Sequence, residues 1–243
     1  MLYIIGVGFD VSDISLRAAD VVKLCEKLYA EDYTMAYDFK ALSKVIGKAI
    51  TVLDRHDVEE GMHFIDEAKK SHVALLVPGD PLTATTHISL LIAAHEKGIN
   101  YEVIHNQSIY SAIAETGLHI YKFGKTASIL EHKQGFRPTS FYDIIKENIS
   151  IGAHTLLLLE PGMTVSKTVA ILLDIGKHMR KPIIKQDTML VAAHIGTSTR
   201  IVYAKASELV KMDMKQPCCI IVPAGLHFSE KETLEKLYKK PDS

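Results

Sequence analysis

The run Val77-Pro78-Gly79-Asp80-Pro81-Leu82-Thr83-Ala84-Thr85-Thr86-His87 gathers a carboxylate, three hydroxyls and an imidazole in one short stretch. Pro78 and Pro81 fix φ on either side of a corner, and Gly79 lets the backbone approach a neighbour closely. Asp80 then projects a carboxylate suited to a hydroxyl or a cationic group of a small ligand. The plainer reading is a helix-entry turn with Asp80 in solvent. Thr85 or Thr86 can cap the following helix. His87 reads as a packing residue at the helix start and not as a catalyst.

Two more loops carry small or polar residues at expected strand ends: Gly6-Val7-Gly8-Phe9-Asp10 and Asn106-Gln107-Ser108-Ile109. Ligands of an open parallel sheet bind outside the carboxyl ends of its strands, so these three loops form one candidate site. The Gly-x-Gly lacks the third glycine of a dinucleotide fingerprint, and no lysine-bearing phosphate loop is present. Metal binding is not expected. There is no Cys-x-x-Cys or His-Glu-x-x-His, and Cys218 and Cys219 are neighbours on a strand, facing opposite ways. Tyr29, Tyr33, Tyr37 and Tyr110 read as packing or surface residues. Lys122, Lys125, Lys133 and Arg137 read either as a solvated face or as contacts to a protein acceptor.

These residues need a scaffold, and the chain is long enough to supply one. Its 243 residues suffice for one large or two ordinary domains, and 47% hydrophobic with 23% charged residues is a globular composition. A net charge of −1 gives no general attraction to nucleic acid or an acidic membrane. The three cysteines form no disulfide framework, and "MLYIIGVG" is too short for a membrane span and lacks a basic leader. The expectation is a cytoplasmic protein.

Strand-like runs alternate with helical patterns through the first half: strands at 2–8, 27–32, 49–53, 72–77 and 101–105, with helices at 13–24, 38–46, 57–70 and 86–97. Asp13 is the expected cap of the first helix, and Ile88, Leu91 and Ile92 the inward residues of the fourth. This alternation predicts a mostly parallel, doubly wound sheet. After residue 115 the rhythm changes. Strand-like runs without a clear helix give way to a helix near 140–150, a strand at 154–159, a helix near 163–178, the runs 188–196 and 199–210, a strand at 218–223 and a terminal helix at 229–238. The prediction is α/β throughout, with an N-terminal domain at 1–114 and a C-terminal domain with a mixed sheet at 115–243.

Together "MLYIIGVG", "YAEDYT", "GDPLTATTH", "YEVIHNQSI", "LHIYKFGKTASI", "RPTSFYD" and "HTLLLL" resemble the diphthine synthase family, of the tetrapyrrole-methylase-like superfamily of S-adenosylmethionine-dependent methyltransferases. The resemblance runs in register to about residue 160 and returns at "LVAAHIG" and "IIVPAGLH". It implies two α/β domains with the cofactor in the cleft between them, and a homodimer. The family's cofactor positions fall on Phe9, Asp80, Thr83, Ser108, Ile109, Leu159, Ile195 and Cys218. The implied acceptor is a histidine of translation elongation factor 2 that already carries a 3-amino-3-carboxypropyl group. Its amino nitrogen would be methylated repeatedly, with S-adenosyl-L-homocysteine as the other product. Eukaryotic members also esterify the carboxylate, whereas archaeal ones stop at the trimethylamine.

Departures from the family pattern are a first loop one glycine short, Cys218 where a histidine is common, Ala193-His194 in place of Ala-Arg, and a shorter segment between Pro161 and Asp187. Desolvation of the amine lets bulk water serve as proton acceptor, so no general base is assigned; His87, His105 and His119 read as structural. The rival functions are another methyltransferase of the superfamily, acting on a tetrapyrrole or ribosomal RNA, and a weakly active cofactor-binding module.

Overall fold

The structure is a computed structural model that describes residues 1–179, 182–196, 198–214 and 216–239. The chain divides into two compact units, Met1–Ser111 and Ala112–Ser243.

The first unit is built on five parallel strands: β1 (Leu2–Gly6), β2 (Lys27–Glu31), β3 (Thr51–Leu53), β4 (Val73–Val77) and β5 (Tyr101–Ile104), ordered β3-β2-β4-β1-β5. Every residue of β1 and β4 is buried, which explains their unbroken apolar runs: both faces are covered. Helices α1 (Leu16–Leu24) and α2 (Phe39–Ile46) pack Ala18, Val22, Phe39 and Leu42 on the side of Tyr3, Ile5, Ala74 and Leu76. Helices α3 (His63–Glu67) and α4 (Ile88–Glu96) cover the opposite side, against Leu2, Ile4, Val73 and Leu75. This is the doubly wound arrangement expected from the alternation.

Three local expectations are corrected. Asp13 does not cap α1; the Ser15 side chain does, accepting from the Ala18 amide, while Asp13 ends a preceding helical turn, Val11–Asp13. The 57–70 helix is broken at Met62, which takes a left-handed conformation (φ 48°) between a wide turn at Asp57–Gly61 and α3. In α4, Leu90, Leu91 and Ala94 face inward, whereas Ile88 and Ile92 are 56% and 55% exposed. The buried His87 sets that phase, because 87, 90, 91 and 94 lie on one helical stripe.

The carboxyl ends of β1 and β4 approach very closely. A Cβ added at Gly6 would lie 2.6 Å from the Gly79 carbonyl oxygen and 2.9 Å from Pro81 Cδ. Gly6→Ala must therefore push backbone apart, an overpacking cost of about 1–3 kcal/mol. A thermal melt of the variant should show a lower Tm; an unchanged Tm would contradict the close approach.

The second unit carries a mixed sheet, ordered β6-β7-β10-β8-β9. Its strands are β6 (Ala127–Ile129), β7 (Thr155–Leu159), β8 (Met189–His194), β9 (Arg200–Lys205) and β10 (Cys218–Val222). Only the β6–β7 pair is parallel; β7–β10, β10–β8 and β8–β9 are antiparallel. Helices α6 (Ser140–Ser150) and α7 (Val165–Lys177) pack Phe141, Tyr142, Ile145, Val169 and Leu172 on Leu157, Ala192 and Ile220. Short helices α5 (Ile109–Ala112), where the two units meet in sequence, α8 (Ala206–Leu209) and α9 (Phe228–Thr233) complete the set. The expected terminal helix is thus α9 followed by a wide turn, Leu234–Tyr238.

Candidate functional site

The parallel strands bring the three loops of the first unit to one end of the sheet. Gly8 and Gly79 exchange backbone hydrogen bonds (Gly79 N to Gly8 O, 2.7 Å; Gly8 N to Gly79 O, 3.2 Å). Both glycines have left-handed φ, +75° and +69°, which ordinary residues rarely adopt. Phe9 leaves this junction half-buried, with its amide donated to Asp13 Oδ2. Asp13 Oδ2 also accepts from the Asp10 amide and from Gln107 Nε2, so it locks the first loop to the third.

Asn106 does the same from the other side. Its Nδ2 donates to the Gly6 and Asp13 carbonyls, and its backbone amide reaches Asp80 Oδ2. The sequence places Asn106 in a candidate loop but does not show its bonding role, nor that of Asp13. The one available signal was an asparagine directly after a strand, a residue type that bonds nearby backbone.

Asp80 is buried, and both of its oxygens are in use within its own unit. Oδ1 accepts from the Leu82 amide (3.1 Å) and Thr83 Oγ1 (2.9 Å), and Oδ2 from His105 Nδ1 (2.8 Å) and the Asn106 amide (3.3 Å). Burial pushes the carboxyl upward, but His105 and the other donors outweigh it and hold Asp80 below the usual carboxylate value. The corner is therefore neither a solvated turn nor a free carboxylate. Asp80 organises the backbone of the second and third loops.

His87 is fully engaged as well. Its Nδ1–H donates to the Pro81 carbonyl (3.0 Å), which leaves Nε2 to accept from the Tyr33 hydroxyl (3.1 Å). Burial depresses its pKa below the ordinary imidazole value, in keeping with a packing residue. Thr85 Oγ1 bonds the Pro81 carbonyl and accepts weakly from the His87 amide, while Thr86 Oγ1 donates to Glu59; neither is a side-chain cap of α4. Ser108 and Ile109 are half-buried. The Ser108 hydroxyl has no bonding partner among the described residues, although its backbone pairs with Ser111.

In the second unit, Leu159 ends β7, Cys218 begins β10 and Ile195 follows β8. The registers Cys219↔Leu158 and Cys218↔His194 put Leu159, Cys218 and His194 in one row at one end of the sheet, with Ile195 one residue beyond it. The row offers apolar surface and a thiol. Burial pushes the Cys218 thiol up to about 12, so it stays protonated and is a poor nucleophile. Iodoacetamide at mildly alkaline pH should leave Cys218 unmodified until the protein is unfolded; rapid labelling of the native chain would contradict this.

In residue type each unit by itself suits part of an adenosyl sulfonium: the first offers a ring at Phe9, an apolar side chain at Ile109 and the Ser108 hydroxyl, and the second apolar side chains at Leu159 and Ile195. Among the described residues, no group of three or more His, Cys, Asp or Glu is placed to hold a metal, and no helix is long and apolar enough to cross a membrane. Lys125 pairs with Glu147, and Lys122 with the buried Glu230. Tyr29 donates to Glu67 and Tyr37 to the Val7 carbonyl, whereas Tyr110 is exposed.

Comparison with known proteins covers both units. The family profile of Tetrapyrrole (Corrin/Porphyrin) Methylases matches residues 1–210. A diphthine synthase from Methanocaldococcus jannaschii is 40% identical over 98% of this chain and 98% of its own length. One from Methanococcus maripaludis is 40% identical over 98% and 99%. A crystal structure of diphthine synthase superposes with a TM-score of 0.88 at 33% identity, covering 99% of this chain and 97% of that one. The chain therefore belongs to the tetrapyrrole methylase family, as a methyltransferase of its diphthine synthase group.

Proposed function

We propose that this chain transfers methyl groups from S-adenosyl-L-methionine to the amino nitrogen of a 3-amino-3-carboxypropyl-histidine on translation elongation factor 2, a step of diphthamide biosynthesis. It acts in this reading as a homodimer in the cytoplasm. The observation that carries the proposal is the similarity to diphthine synthases over 98% of the chain, at 40% identity.

When bound, the sulfonium donor supplies an electrophilic methyl group. The acceptor nitrogen gives its lone pair to that carbon as the carbon–sulfur bond breaks, and a neutral thioether leaves. The residues of the chain supply orientation, worth up to about 7–11 kcal/mol in favourable intramolecular systems. Ser108 offers its hydroxyl to a polar group of the donor, and Phe9, Ile109, Leu159 and Ile195 give apolar contact for adenine and the thioether chain. Asp80 and Thr83 serve by fixing the backbone of the corner, since their side chains bond each other. Cys218, held as a thiol, offers contact without competing for the methyl group.

The test is transfer of labelled methyl from S-adenosyl-L-methionine to elongation factor 2 purified from cells lacking this enzyme. Label in the factor and none in uroporphyrinogen is expected. Label in the tetrapyrrole alone would replace the acceptor, and tight donor binding without transfer to either would reduce the chain to a binding module.

A further inference from the structure

An amine acceptor reaches the site as an ammonium and has no lone pair to give until it loses a proton. From the sequence alone, bulk water is the expected recipient of that proton. The structure holds one imidazole suited to take it. His105, directly after β5, is two-thirds exposed (66% of its side chain), yet its Nδ1 lies 2.8 Å from Asp80 Oδ2, on a carboxylate only 8% exposed. Asp80 is fixed in turn by the Leu82 and Asn106 amides and by Thr83 Oγ1.

An ionised carboxylate can only accept, so it selects the tautomer with the proton on Nδ1 and leaves the Nε2 lone pair free. The other histidines weighed from sequence lack this arrangement. Both ring nitrogens of His87 are bonded within the protein, and His119 Nε2 is bonded to Ser229 Oγ. His105 is also one residue from Asn106 and three from Ser108, on the loop that carries two of the assigned donor positions. Asp80 is the charged group in contact with it among the described residues.

We propose that His105 is the proton acceptor of the methyl transfer, with Asp80 its positioning residue; this rests on the amine-methylation reading above. Nε2 takes one proton from the acceptor's ammonium, the freed amine lone pair forms the new nitrogen–carbon bond, and the carbon–sulfur pair leaves on sulfur. The imidazolium then returns its proton to water before the next round. General-base catalysis of this kind contributes roughly 10²–10⁴-fold.

The test uses the full chain with modified elongation factor 2. For His105→Ala, the single-turnover rate near neutral pH should fall by about 10²–10⁴-fold, while calorimetry gives unchanged donor affinity. Added imidazole should restore part of the rate, as should higher pH, where the amine loses its proton unaided. In the donor-free protein, ¹⁵N NMR should find the His105 proton on Nδ1, and Asp80→Asn should shift it.

An active wild type whose His105→Ala variant is equally fast, or is slow without rescue by imidazole or pH, would overturn the assignment. So would a proton on Nε2. If the wild type binds the donor but methylates nothing on the factor, the functional reading fails and takes this assignment with it; the unimpaired variant would sink only His105.

Discussion

Replacing Glu230 by Gln should cost this protein about 3–5 kcal/mol of stability, the usual penalty for breaking a buried charged pair from one side. Glu230 has no exposed surface, yet it gathers four donors. Oε1 accepts from the His119 amide (2.8 Å) and His154 Nε2 (3.0 Å), and Oε2 from Lys122 Nζ (2.6 Å) and the His227 amide (2.7 Å). His154 is buried too, and its Nδ1 accepts from the Ala224 amide, so its proton must sit on Nε2 and point at Glu230.

An amide at position 230 would bring its NH₂ group against two of these four donors in either orientation, the His119 amide and His154 Nε2 or Lys122 Nζ and the His227 amide. The loss should appear as a Tm lower by roughly 10 °C, given about 2–4 °C per kcal/mol for a chain of this size. A drop of only a degree or two would mean that the Glu230 cluster contributes little to stability.

The same cluster makes acid the weak side of the fold. Burial pushes the Glu230 carboxyl up, but Lys122 and the other donors outweigh it and bring it from 4.5 to about 2. A depressed carboxylate contributes its full stability above the unfolded value and loses it as pH falls toward the folded one. The wild type should therefore lose this contribution between about pH 4.5 and 2, and Glu230→Gln should show a flatter melting profile across that window.

Asp80→Ala should also destabilise the donor-free protein, by about 2–4 kcal/mol, because it leaves the Leu82 and Asn106 amides without their acceptor and His105 without its partner. A carboxylate exposed for a ligand would behave otherwise, giving weaker donor binding and an unchanged melt of the donor-free chain. Thermal denaturation of the donor-free variant, set beside calorimetric donor titration, separates the two. An unchanged Tm with lost affinity would contradict the internal role given to Asp80.

Local patterns were readable where the physics is local. Runs such as "YIIG" and "VALLV" are apolar because helices cover both faces of the sheet, and their order with the intervening helices implied the parallel, doubly wound first unit. The mixed second sheet was legible from the change of rhythm. The phase of α4 was not, because its inward stripe begins on a polar residue, His87, that an apolar count passes over. The cap of α1 was misread for a similar reason: Asp13 and Ser15 are both capping types, and Asp13 is drawn away by Gln107, distant in the chain.

The site shows the same divide. The three loops could be located because each ends a strand. The use of Asp80 could not, since its partners at 105 and 106 join it only through the pairing of β4, β1 and β5. Glu230 left no trace at all, because its donors come from positions 119, 122, 154 and 227. Contacts between distant residues are properties of topology, and a single sequence carries no record of them.

The predicted methyl acceptor is an amine on a protein side chain. Elongation factor 2 bearing the 3-amino-3-carboxypropyl-histidine, incubated with the wild-type chain and S-adenosyl-L-methionine and then digested, measures this by mass spectrometry of the modified peptide. Successive methyl increments confined to that histidine, with fragments placing them on its amino nitrogen, are predicted. An unaltered peptide from a chain that binds the donor, or methyl groups on any other residue, would contradict it.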